Sequence, residues 1–143
     1  MTHVVAGYPS DQDCIDLMIG MQKAGVGIIE VQIPFSDPIA DGETIMRAND
    51  RALENGMTIK KSFDLINNAK NQGLTIDIYI MTYFQKVFFY GLDKFCKEAA
   101  KSGVKGMIVP DLPFDAPEFK DLYKIMKSNN LVLVPVFSAA TSP

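Results

Sequence analysis

The chain has 143 residues, 48% of them hydrophobic, and a formal net charge of -3 with acids and bases interspersed. That length and composition suit one soluble globular domain spanning 1-143 with one substantial core. The charge pattern offers no basic patch, which argues against nucleic acid as a partner, and the longest apolar runs fall far short of a membrane span.

The first residues, Met1 to Val5, carry neither a positive cluster nor a long apolar run, so no secretory signal is read there. Val4-Val5-Ala6 reads as a strand stopped by Gly7-Tyr8-Pro9. Ser10 with Asp13 predicts an N-cap, and Cys14, Leu17, Met18 and Met21 follow at helical spacing until Gly25 and Gly27. A second strand, Ile28 to Ile33, carries Glu30 in its middle and breaks at Pro34 into a Ser-, Asp- and Pro-rich loop that ends on Asp41-Gly42.

After Gly42 comes a helix with Ile45, Ala48, Ala52 and Leu53 on one face, then a helix capped by Thr58 with Phe63, Ile66 and Ala69 as its buried stripe. Ile76 to Tyr83 alternates as a strand, with Tyr79, Met81 and Tyr83 opposite Ile76, Ile78 and Ile80. Tyr83 to Tyr90 reads as a loop, and Leu92, Phe95, Cys96 and Ala99 mark a helix. Met107-Ile108-Val109 is a strand ended by Pro110-Asp111-Leu112-Pro113. Asp115 with Glu118 then looks like a capping box before the stripe Phe119, Leu122, Tyr123 and Met126. Leu131 to Phe137 is the fifth strand, followed by a small-residue loop from Ser138 to Pro143.

Five strands alternating with helices predict an α/β fold with a parallel sheet and helices outside. The polar and Pro-rich loops follow strands, the end where such folds place their chemistry. Strand parity puts Ile29, Val31 and Ile33 on one face and Ile28, Glu30 and Gln32 on the other. A carboxyl inside a covered sheet resists ionising, whereas Asp41 in a wetter loop ionises more easily, so the two form a candidate acid/base pair. Cys14 and Cys96 have no metal-like spacing and read as buried free thiols of a cytoplasmic protein.

Glu30 and the run Pro34-Phe35-Ser36-Asp37-Pro38-Ile39-Ala40-Asp41-Gly42 resemble the signature loop of the tryptophan synthase alpha subunit family. Ala6-Gly7-Tyr8-Pro9, Met81-Thr82-Tyr83, Pro110-Asp111-Leu112-Pro113 and Ala140-Thr141-Ser142-Pro143 add weaker matches. The resemblance implies a (β/α)8 TIM barrel and a lyase that cleaves indole-3-glycerol phosphate by a retro-aldol reaction in tryptophan biosynthesis, with no cofactor and no metal. It implies Glu30 as the acid that moves protons and Asp41 as the carboxylate that holds the indole N–H. It further implies Ala40, Met81, Tyr83, Ile108 and Val134 as walls of the indole pocket. Pro34, Asp37 and Pro38 would contact a beta subunit in an alpha2-beta2 heterotetramer.

Three departures from the family pattern stand out. Gln32 replaces a usual Gly, and would either hydrogen-bond the Glu30 carboxylate or crowd the pocket. Gln85-Lys86 replaces a common Asn-Pro, and His3 stands where an apolar residue is frequent. Length is the largest difference, because a closed barrel needs about 250 residues. Five strands therefore predict a partial, unclosed barrel with open edges at the first and fifth strands. No glycine-rich phosphate cradle is visible, so the expectation is a partial alpha chain with little turnover of its own. A short non-catalytic protein that binds a beta-type subunit is the alternative, and a sugar-phosphate isomerase is a third and weaker reading.

Overall fold

The computed structural model describes residues 1–137, so the Ser138 to Pro143 loop and its Ala140-Thr141-Ser142-Pro143 match lie outside the described residues. Five strands form one parallel sheet in sequential order: β1 (Thr2–Val5), β2 (Ile28–Gln32), β3 (Asp77–Met81), β4 (Gly106–Ile108) and β5 (Val132–Val134). Six helices connect them: α1 (Asp11–Lys23), α2 (Glu43–Glu54), α3 (Ile59–Asn71), α4 (Phe84–Tyr90), α5 (Leu92–Lys101) and α6 (Pro117–Ser128). Among the described residues β1 pairs only with β2 and β5 only with β4, so the sheet is open and the barrel unclosed.

The two faces of the sheet differ. Ile29 and Val31 of β2 and Ile33 just after it, with Ile78 and Ile80 of β3 and Met107 of β4, are fully buried against helix residues such as Met18, Ala52, Ile66, Phe95 and Leu122. The alternate residues make the other face. Register aligns His3, Glu30, Tyr79, Gly106 and Val132 in one row, and Val5, Gln32, Met81, Ile108 and Val134 in the next. A smaller cluster of Met81, Tyr83, Ile108, Phe35, Tyr79 and Val134 packs on this inner face. Gly106 is where the Tyr79 ring crosses it: a Cβ there would lie 2.6 Å from that ring and 2.4 Å from the Val132 carbonyl oxygen.

Ser10 and Thr58 cap α1 and α3 as predicted, accepting from the N–H groups of Asp13 and Lys61. Three local expectations fail. The stretch read as a loop before Leu92 contains α4, a short helix that buries Val87 and is separated from α5 by Gly91 at φ 93°. Asp115 does not cap α6: its N-cap is Ala116, with no side-chain cap bond, and Pro117 opens the helix. A proline in the first turn has no N–H, so one of the donors a cap would satisfy is already gone. β5 is also shorter than predicted, because Pro135 has no N–H to extend the ladder.

Candidate active site

Glu30 leaves the middle of β2 on the inner face, with its side chain 18% exposed. Burial pushes its pKa up. His3 opposes that shift by attraction, and the negative charge of Asp41 adds to it. His3, its register partner on β1, places Nε2 3.9 Å from Glu30 Oε1. A carboxyl group that keeps its proton toward neutral pH is a usable general acid.

Asp41 comes from the loop after β2 and is held by two donors. Gln32 Nε2 donates to Asp41 Oδ2 at 2.6 Å, and the Tyr83 hydroxyl donates to the same oxygen at 3.2 Å. The Tyr83 hydroxyl in turn accepts from Ala40 N–H at 3.0 Å. Burial, less that backbone bond and with the Asp41 charge added, pushes the Tyr83 hydroxyl up to about 12, so it stays a donor at any working pH. Both donors fall on Oδ2, and among the described residues no donor meets Oδ1.

Strand parity thus anticipated which face Glu30 takes, and the inner face also carries Met81, Tyr83, Ile108 and Val134 in one apolar cluster. Ala40 is exposed and joins them through its bond to Tyr83. In the loop after β2, Asp37 is exposed and accepts from Ser36 Oγ at 2.6 Å, whereas Pro34 and Pro38 are buried and shape the loop from within. Of the two roles open to Gln32, the bond goes to Asp41 rather than to Glu30.

Sequence reasoning missed Asn49. It is fully buried on α2, where its Oδ1 accepts from Phe35 N–H at 3.0 Å and from Gln32 Nε2 at 3.4 Å, and its Nδ2 donates to Ile45 O at 2.9 Å. The signal was present: Asn49 falls four residues after Ile45 and one after Ala48, on the helix's apolar face. A polar residue there must find buried partners. Among the described residues no group of three or more His, Cys, Asp or Glu is placed to hold a metal ion.

A family model described as tryptophan synthase alpha chain matches residues 1–143. The tryptophan synthase alpha chain of Petrotoga mobilis is 40% identical over 142 residues, covering 99% of this chain and 54% of that protein. The tryptophan synthase of Saccharomyces cerevisiae is 39% identical over 142 residues, 99% of this chain and 20% of that protein. Among solved structures, a chain from a study of mutual activation of the tryptophan synthase a2b2 complex of Pyrococcus furiosus superposes with a TM-score of 0.87 at 34% identity, covering 99% of this chain and 55% of that one. The chain spans about half the length of the alpha chains it matches. It belongs to the tryptophan synthase alpha chain family.

Proposed function

We propose that this chain carries the acid/base pair of a lyase that splits indole-3-glycerol phosphate into indole and glyceraldehyde 3-phosphate. The observation that carries the reading is the pairing of a half-buried Glu30, whose pKa burial raises, with an Asp41 held through Oδ2 alone among the described residues. The indole N–H donates to Oδ1 of Asp41. Glu30 gives its proton to the ring carbon that bears the glycerol chain, and the ring nitrogen becomes cationic beside Asp41. The Glu30 carboxylate then takes the proton from the hydroxyl on the adjoining carbon. The carbon–carbon electron pair returns to the ring, the cation is discharged, and indole and the aldehyde separate. No cofactor enters this sequence. Met81, Tyr83, Ile108 and Val134 supply the apolar wall, with Ala40 at its rim.

No run of glycines follows a described strand, so the substrate phosphate has no evident cradle here. Binding energy from that remote group normally lowers the barrier at the reacting centre, and without it the 143-residue polypeptide turns over slowly. The beta subunit is the proposed partner, and the cytoplasm, where the free buried thiols of Cys14 and Cys96 would stay reduced, is the proposed site. The partner surface is the loop from Ser36 to Ile39 together with a neighbouring cavity of about 470 Å3 lined by Phe35, Asp37, Ile59, Lys86 and Phe89 among others. Ile39 and Phe89, 85% and 77% exposed, mark its apolar edges.

That surface also favours the second reading, a non-catalytic binder of a beta-type subunit. The polypeptide translated from the whole reading frame that contains these residues separates the two. Release of indole from indole-3-glycerol phosphate, lost in Glu30→Gln, supports the lyase. Beta-subunit binding with no indole release supports the binder.

A further inference from the structure

Asn49 lies between two backbone groups whose roles cannot change. Phe35 N–H can only donate and Ile45 O can only accept, so Oδ1 of Asn49 must face the first and Nδ2 the second. The group that Gln32 turns toward Asn49 Oδ1 and the Asp41 carboxylate must therefore be its amide NH2. Its carbonyl Oε1 then faces His3 Nε2 at 2.9 Å, and that nitrogen must carry a hydrogen. The hydrogen-bond directions run unbroken from two backbone groups to the imidazole and fix Nε2 as the nitrogen that donates.

We propose that His3 and Gln32 form a strut that positions the two site carboxylates, with Gln32 holding Asp41 in place and His3 holding Gln32 while standing over Glu30. Both are positioning residues, and this role rests on the reading of Glu30 and Asp41 as the acid/base pair. The two residues are coupled, because each supplies the other's hydrogen-bond partner.

The titratable groups around His3 are few. Glu30 faces it from β2, Tyr79 lies beyond Glu30 in the same row on β3, and Tyr8 shares its cavity. Asp41 and Tyr83 are reached through Gln32. The other residues lining that cavity, Leu17 of α1 and Thr44, Ile45 and Ala48 of α2 among them, carry no charge. Glu30 is therefore the group on which a charge at His3 acts most directly.

His3 is the single histidine of the chain, so its imidazole signals in nuclear magnetic resonance need no sorting from others. In the 143-residue protein we expect the neutral imidazole to be the Nε2–H tautomer. We also expect the Nε2–H proton to be protected from solvent exchange. Gln32→Met preserves volume and should abolish that protection while sheet amides stay protected. Should Gln32→Met fail to fold, Gln32→Leu, which likewise removes the acceptor that faces Nε2, gives the same readout. His3→Phe should move the Glu30 carboxyl titration to higher pH, because the attraction that opposes its raised pKa is gone. His3→Gln, a neutral donor, should restore the Gln32 contact without restoring that charge effect. An exchange-labile Nε2–H in the wild type, or a Glu30 titration unmoved in His3→Phe, would overturn the strut. None of these readings requires turnover, so failure of the strut and failure of the lyase assignment remain separate results.

Discussion

The Tyr83 hydroxyl donates to Asp41 at 3.2 Å and accepts from the Ala40 N–H at 3.0 Å, tying the end of β3 to the loop after β2. Tyr83→Phe keeps the ring, which packs against Phe35 with centroids 5.1 Å apart, and removes both bonds. We expect a loss of about 1–3 kcal/mol in stability, since Ala40 loses its partner and Asp41 one of its two donors. Urea unfolding of the two proteins checks this, and equal midpoints would count against the tie.

Glu30 gives stability a pH dependence of definite sign. Its folded pKa is raised, so its contribution is full below the ordinary glutamate range and is lost as pH rises through the raised value. Glu30→Gln cannot ionise and should match the wild type in acid but be the more stable protein at neutral pH. The difference in slope is at most about 1.4 kcal/mol per pH unit, one proton's worth. Thermal unfolding from pH 4 to pH 8 reads it, and parallel curves would refute the burial argument.

Asn49→Ala should destabilise by about 1–3 kcal/mol, because Phe35 N–H loses its acceptor and Gln32 its locked amide. Amide exchange would report it directly, with the Phe35 amide becoming labile before the sheet does.

Gly106→Ala puts a methyl where the Tyr79 ring and the Val132 carbonyl already sit. The ring can turn, but a backbone oxygen at 2.4 Å cannot easily move without disturbing the β4–β5 pairing. A cost of about 1–3 kcal/mol follows from such overpacking, read from the unfolding midpoint.

Ile39→Asp and Phe89→Asp alter exposed side chains and should leave stability within about 0.5 kcal/mol. Each should weaken capture by a beta subunit in surface plasmon resonance by tenfold or more if the loop and cavity are the contact. Unchanged binding would move the contact elsewhere.

Much of the architecture was legible from periodicity. The alternation of Ile29, Val31 and Ile33 with Glu30 and Gln32 assigns two faces before any coordinates, because the side-chain period of a strand is two. What periodicity cannot convey is which polar groups meet across elements. Asn49 touches Gln32 over 17 residues of chain, and Tyr83 touches Asp41 over 42. The same limit hid α4, whose single buried residue, Val87, makes no stripe. It also made Asp115 look like a cap that Pro117 had rendered unnecessary.

Exchange of the indole C3 hydrogen for solvent deuterium, followed by proton magnetic resonance at neutral pH, tests the proton transfer most directly. It needs the Glu30–Asp41 pair and the apolar wall but no phosphate, so the 143-residue protein suffices. We predict exchange faster than in buffer, abolished in Glu30→Gln and reduced in Asp41→Asn. Exchange by Glu30→Gln at the wild-type rate would contradict the assignment of Glu30 as the proton donor.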